Sequence, residues 1–183
     1  MEKAEHFNNS AAKKESQSEQ IIEKLELKKG FSIIDFGSGG GFYTGKFAEI
    51  VGENGTVYAI DKNKELLNYI TNKIKSKNVK SIFFNGDINF VEENSIDLIF
   101  MRNVTHHLKN RTQLFIKLGK LLKKDGKFVV IDYKVGKLFS FHGLFRHSVK
   151  QQKIQTEMQN AGFKVFKEYK FIEQQHFTIF RKK

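Results

Sequence analysis

Short apolar runs recur along this chain, each leading into an acid or an amide, and stretches with helical spacing separate most of them. This alternation constrains the fold more than any other feature. The runs are 31–36 (FSIIDF), 56–60 (TVYAI, then Asp61), 81–84 (SIFF, leading to Asn85-Gly86-Asp87), 96–101 (IDLIFM, then Arg102 and Asn103) and 127–131 (KFVVI, then Asp132). Runs without strict polar alternation are the pattern of strands buried on both faces. Segments 18–27, 42–51, 63–76 and 111–122 space their apolar residues as helices do, with Asn110 as the expected cap of the last. Such alternation implies crossover connections and a mostly parallel sheet. The tail departs from it: 148–160 reads as a helix stopped by Gly162, and 163–171 with 176–180 as a hairpin at a sheet edge. The expected class is α/β: a doubly wound, mostly parallel seven-stranded sheet with helices on both faces and a C-terminal antiparallel hairpin.

At 183 residues, 39% of them hydrophobic, the chain suits one domain around one core. No run approaches the roughly 18–20 apolar residues of a membrane span, and the first twenty residues are too polar for a secretory signal. The expectation is a cytoplasmic protein without membrane association. Cysteine is absent, which excludes disulfides, thiolate metal sites and cysteine nucleophiles. The formal charge is +12, and residues 134–183 hold eleven Lys or Arg against three Glu. Such an excess could attract nucleic acid or an anionic small molecule, although a solvated basic face is the plainer reading.

The stretch IIDFGSGGGF, 33–42, places four glycines directly behind the first strand. At the first strand-to-helix turn of a doubly wound sheet, glycines allow a sharp turn and the approach of a ligand, and the following helix offers free amides. Asp61 lies twenty residues beyond Gly41, at a strand tip where a carboxylate can accept from both hydroxyls of a ribose. Asp87 closes the third strand at the same edge, Arg102 and Asn103 follow the fourth, and Asp97 sits inside its start. Any one of these acids could equally be a helix cap. A dinucleotide fingerprint, G-x-G-x-x-G, would need glycine where Phe42 stands.

Asp35 to Gly41 instead reads D-x-G-x-G-x-G and resembles the cofactor loop of the class I S-adenosylmethionine-dependent methyltransferases, the small-molecule-type enzymes in particular. The resemblance continues through GTVYAID, NGD, SIDLIFMRNVTHHL and LLKKDGKFVVID, in that family's order and spacing. It implies that Asp35, Gly37, Gly39 and Gly41 frame the methionine portion of S-adenosylmethionine and that Asp61 holds its ribose. It further implies Asp87 near the adenine amino group, Ile88 and the aliphatic part of Lys62 against the ring, and Asn103 along the methionine side. Where the family often has proline before the fifth strand, this chain has Lys124-Asp125-Gly126. On this reading residues 28–135 form the cofactor-binding core and 1–20 a loose arm or lid. The remainder, 136–183, supplies an acceptor-side loop, a helix and the edge hairpin.

A sulfonium methyl is already activated, so orientation of the acceptor supplies much of the catalysis and a base is optional. Where one is needed, His106 and His107 are the catalytic candidates, with Asp132 and His142 behind them; His142 and His147 also lie in an aromatic-rich loop that could cover an acceptor. Any of them could instead be structural. Adjacent histidines lack metal-ligand spacing, so no metal is expected. The absence of proline removes the N-P-P-Y loop of amino-methylating nucleic-acid enzymes. The absence of cysteine removes cytosine-C5 attack and thiol-dependent arsenite methylation. A small-molecule acceptor remains the expected partner, under a lid built from His6-Phe7 and the loop 137–147. Alternatives are an RNA-associated protein on the same fold and a cofactor-binding module without catalysis.

Overall fold

The computed structural model of the protein describes residues 1–134 and 149–183. In chain order these form α1 (Glu2–Ala12), α2 (Ser18–Leu25), β1 (Ser32–Phe36), α3 (Phe42–Val51), β2 (Thr56–Asp61), α4 (Lys64–Lys73), β3 (Val79–Phe83) and β4 (Ile96–Arg102). There follow α5 (Arg111–Leu121), β5 (Leu122–Tyr133), α6 (Gln151–Asn160), β6 (Phe163–Tyr169) and β7 (Gln175–Lys182), with 3-10 turns at Lys14–Ser16 and Thr105–His107.

The strands make one seven-stranded sheet in the order β3-β2-β1-β4-β5-β7-β6. Neighbours from β3 through β5 are parallel, whereas β7 runs antiparallel to both β5 and β6. Successive residues of each buried strand face opposite sides, which explains why the apolar runs lack polar alternation. Ile34, Ile99, Met101, Phe128 and Val130 pack with Phe115 and Leu118 of α5 and with Ile154 and Met158 of α6. On the other face Ile33, Leu98, Phe100, Val129 and Ile131 pack with Ile21 and Leu25 of α2 and with Phe47 and Val51 of α3. After β1 the chain builds outward through β2 and β3, then returns to place β4 on the other flank of β1. A crevice opens where strand order reverses, outside the tips of β1 and β4.

Several local expectations are corrected. Residues 2–12 are a helix, where a loose arm was expected. Its buried residue is Ala4, and Asn8 Nδ2 donates to the Gly40 carbonyl at 2.9 Å. A contact across 32 residues leaves no periodic apolar trace in the sequence. Asn63 caps α4, accepting from the amides of Glu65 (2.9 Å) and Leu66 (3.3 Å). Asn110, the cap expected for α5, makes no side-chain cap bond; it adopts φ +50° and offers its carbonyl to Leu114 N at 3.2 Å. Asp97 lies at the far end of β4, bound to Ser32 N (2.8 Å) and Lys123 Nζ (2.8 and 2.9 Å). It therefore does not join the acids at the strand tips. The loop 137–147, with His142 and His147, lies outside the described residues. Among those described, no helix is long and apolar enough to cross a membrane.

Candidate active site

The glycine turn is fitted between elements distant in sequence. A Cβ on Gly37 would lie 2.7 Å from a Val104 methyl, and one on Gly40 would lie 2.2 Å from the Ala4 carbonyl oxygen. The turn thus lets β1 meet the loop after β4 and lets α1 rest on its backbone. Three of its amides are already used. Gly37 N and Ser38 N donate to Ile60 O (2.8 and 3.0 Å), and Gly39 N donates to Asp61 Oδ2 (3.0 Å). A phosphate-binding loop keeps such donors for its ligand. Here they lock β1 to the tip of β2, and the site offers carboxylates instead.

Those carboxylates are Asp61 and Asp35. The second oxygen of Asp61 accepts Asn63 N at 2.9 Å, which fixes the group at the start of α4. Asp35 is buried and takes the Thr44 hydroxyl at 2.6 Å. Burial pushes its carboxyl up to about 7, against the hydrogen bonds of the Thr44 hydroxyl and backbone and with the negative charge of Asp61 adding to the rise.

A second polar cluster occupies the tips of β4 and β5. Asp132, fully buried, accepts from the Thr105 hydroxyl, His106 Nδ1 (2.7 Å), His106 N (3.3 Å) and Tyr133 N (2.9 Å). Burial alone would raise this carboxyl; the hydrogen bond and charge of His106, with the Thr105 and Tyr133 donors, outweigh it and hold the pKa below the ordinary carboxylate value. Beside it Arg102 donates to Tyr43 OH, to Ser16 O (2.9 Å) and to Gln175 Oε1 (3.0 Å). Gln175 in turn donates to Asn103 Oδ1, and Tyr43 OH to Ser18 Oγ (2.7 Å). The strand β7 and the α1–α2 junction are thereby tied to the tip of β4.

Both clusters line one cavity of about 1680 Å3. Of the residues singled out in the sequence, Asp35, Gly37, Gly39, Asp61, Lys62, Asn103, His106 and His107 lie on its wall, as do His6 and Phe7. Gly41, Asp87 and Ile88 do not. Gly41 starts α3 against Ile70 of α4, and Ile88 packs on the core. Asp87 is exposed and accepts Asn89 N at 3.0 Å, leaving Phe84 and Gly86 on the wall. Sequence reasoning missed Ser38, Tyr43 and Gln175 as wall residues. No local signal marks them, because each takes its place through contacts across the fold. Among the described residues no group of three or more His, Cys, Asp or Glu is placed to hold a metal ion.

S-adenosylmethionine fits these residues. Its ammonium and sulfonium are cationic, and the buried Asp35 has only the neutral donors of Thr44, hydroxyl and backbone, to balance its charge. Ser38 Oγ, also buried on this wall, has no hydrogen-bond partner among the described residues and is open to a ligand. A pyrophosphate, by contrast, would meet two carboxylates and a turn whose Gly37, Ser38 and Gly39 amides are engaged.

Residues 27–179 match the family described as "Methyltransferase domain". The chain is 31% identical over 140 residues to a phosphoethanolamine N-methyltransferase of Plasmodium falciparum, covering 74% of this chain and 52% of that protein. It is 25% identical over 175 residues to a ubiquinone/menaquinone biosynthesis C-methyltransferase of Haemophilus ducreyi, covering 75% and 66%. This chain thus spans between about half and two thirds of the length of these curated relatives. Among solved structures, a SAM-dependent methyltransferase from Aquifex aeolicus superposes with a TM-score of 0.79 at 25% identity, covering 88% of this chain and 87% of that one. Fold, site and sequence agree: the chain belongs to the methyltransferase-domain family of class I enzymes, whose cofactor is S-adenosylmethionine.

Proposed function

We propose that this chain transfers the methyl group of S-adenosylmethionine to a small-molecule acceptor, with His106 taking the acceptor's proton. The observation that carries the reading is the 2.7 Å contact by which Asp132 Oδ1, behind the wall, holds Nδ1 of His106, a wall residue of the cavity that Asp35 and Asp61 also line. With Asp132 ionised, Nδ1 carries the ring proton and Nε2 keeps its lone pair, the tautomer a base needs. The bound cofactor supplies an electrophilic methyl group and a neutral leaving sulfide. Asp61 accepts from the ribose hydroxyls, Asp35 faces the cationic amino-acid end, and Gly37 and Gly39 give it room. Lys62 and Gly86 flank the adenine. Asn103, oriented by Gln175, borders the methionine side. Helix α1, resting on the glycine turn through Asn8, covers the site with His6 and Phe7 as a lid.

His106→Gln tests the assignment. The expected result is a loss of about 10²–10⁴-fold in kcat, with S-adenosylhomocysteine affinity unchanged. An unchanged kcat would remove the proton-transfer role. Asp61→Ala should weaken S-adenosylhomocysteine binding by roughly 1.5–3 kcal/mol in calorimetry, through lost hydrogen bonds to a charged group. Native affinity would mean that the ribose is bound elsewhere.

A further inference from the structure

Two helix faces border the cavity, and the charged side chains they present to it are cationic. Along α1 the wall residues Lys3, His6, Phe7 and Ser10 fall on one helical stripe, while Glu2 and Glu5 lie off the cavity wall. At α5 the stripe is Asn110, Gln113, Leu114 and Lys117, with Lys109 just before it. Between Asp97 and Asp125 the sequence contains no acid. Several basic groups of that stretch are engaged: Arg111 is held by Glu157 at 2.6 and 2.8 Å, Lys123 by Asp97, and Arg102 by Tyr43, Ser16 and Gln175. Lys109 and Lys117 are exposed and have no carboxylate within ion-pair distance among the described residues. Acids do line the cavity, but Asp35 and Asp61 serve the cofactor side, and Glu15 and Glu173 lie outside the α5 stripe.

We propose that the methyl acceptor carries an anionic group, phosphate or carboxylate, held at the cavity mouth by Lys109 and Lys117, with Lys3 adding charge from α1. The inference rests on the methyltransferase reading and names its acceptor class. An ammonium on a flexible stem offers three donors and captures an anion as a point charge. A cleft lined by one sign of charge raises the local concentration of the opposite sign. The anion sits at the mouth, while the atom to be methylated extends inward toward His106.

The test compares the wild-type chain with the double variant Lys109→Gln/Lys117→Gln, both saturated with S-adenosylhomocysteine. Inorganic phosphate and acetate are titrated separately and followed by calorimetry. Methyl transfer is measured on acceptor pairs that differ only in bearing a phosphate, a carboxylate or a neutral group. The expected result is saturable anion binding weakened about tenfold in the variant, an acceptor KM raised to match with kcat kept, and recovery with Lys109→Arg/Lys117→Arg. The arm that responds more strongly identifies the anion. Equal anion binding by both proteins, or a neutral acceptor turned over best, overturns the inference and leaves the methyltransferase reading standing. Tighter, salt-dependent capture of a single-stranded RNA by the same lysines overturns it in favour of a nucleic-acid substrate. Loss of S-adenosylhomocysteine binding in the wild type would instead remove the methyltransferase reading on which it rests.

Discussion

The tips of β1 and β5 each bury a carboxylate beside the same cavity, Asp35 at 4% exposure and Asp132 at 0%, yet their acidities move in opposite directions. Burial penalises the charged form of both. The difference lies in the donors. Asp35 depends on Thr44 alone, whereas Asp132 collects the Thr105 hydroxyl, the His106 ring and amide, and Tyr133 N. A carboxylate with that many donors is a finished structural charge, able to hold a histidine in one tautomer. One with few is unfinished and well matched to a ligand that brings positive charge. Extent of burial does not separate the two roles; hydrogen-bond saturation does.

The comparison breaks most visibly at Asp132. Asp132→Ala strands buried donors and leaves His106 without its anchor, so a stability loss of about 3–5 kcal/mol is expected in urea denaturation at pH 7. Because its folded pKa is depressed, the stability Asp132 contributes is present above the ordinary carboxylate value of 3.8 and is lost as pH falls through the lower folded value. A variant as stable as the parent would show that the donors find other partners, and the contrast with Asp35 would lose its basis.

Asp35→Asn should act in the opposite sense. Its folded pKa is raised from 3.8 to about 7, so the stability it contributes is full below 3.8 and is lost as pH rises through about 7. The amide keeps an acceptor for Thr44 and removes the buried charge. Melting at pH 8 should therefore show a gain of about 2–3 kcal/mol over the wild type, shrinking toward zero near pH 4. Affinity for S-adenosylhomocysteine should fall, since its ammonium loses a counter-charge. A variant destabilised at pH 8 would mean that Asp35 is not strained in the free protein.

The same contrast explains what the sequence disclosed. The sheet was legible because strands buried on both faces must be apolar throughout, as in IIDF and FVVI, and because Gly37, Gly39 and Asp61 keep family spacing. Asp132 could be named as the end of a strand, but its partnership with Thr105 and His106 spans 27 and 26 residues and exists only when β4 and β5 are paired. Arg102, Tyr43 and Gln175 are joined across 59 and 73 residues in the same way. Helix α1 was illegible for a related reason: it docks through Asn8 on a backbone carbonyl and presents little apolar surface of its own. Asp87 is the converse case, an acid at the right spacing whose side chain closes a local turn while its glycine neighbour lines the wall.

The smallest expected effect is also the sharpest discriminator, because it compares two chemically identical deletions. Thr44 and Thr105 are both fully buried, and each donates its hydroxyl to one of the two acids. At pH 5 Asp35 is protonated, so Thr44→Val removes a neutral hydrogen bond worth about 1 kcal/mol. By pH 9 Asp35 is ionised, and the same change removes a bond to a charge, worth about 1.5–3 kcal/mol. Asp132 is ionised at both values, so the cost of Thr105→Val should not change between them. Urea denaturation of both variants at pH 5 and pH 9 reads the difference directly. A pH-dependent cost for Thr105→Val, or a constant one for Thr44→Val, would reverse the assignment of which carboxylate is saturated and which awaits a cation.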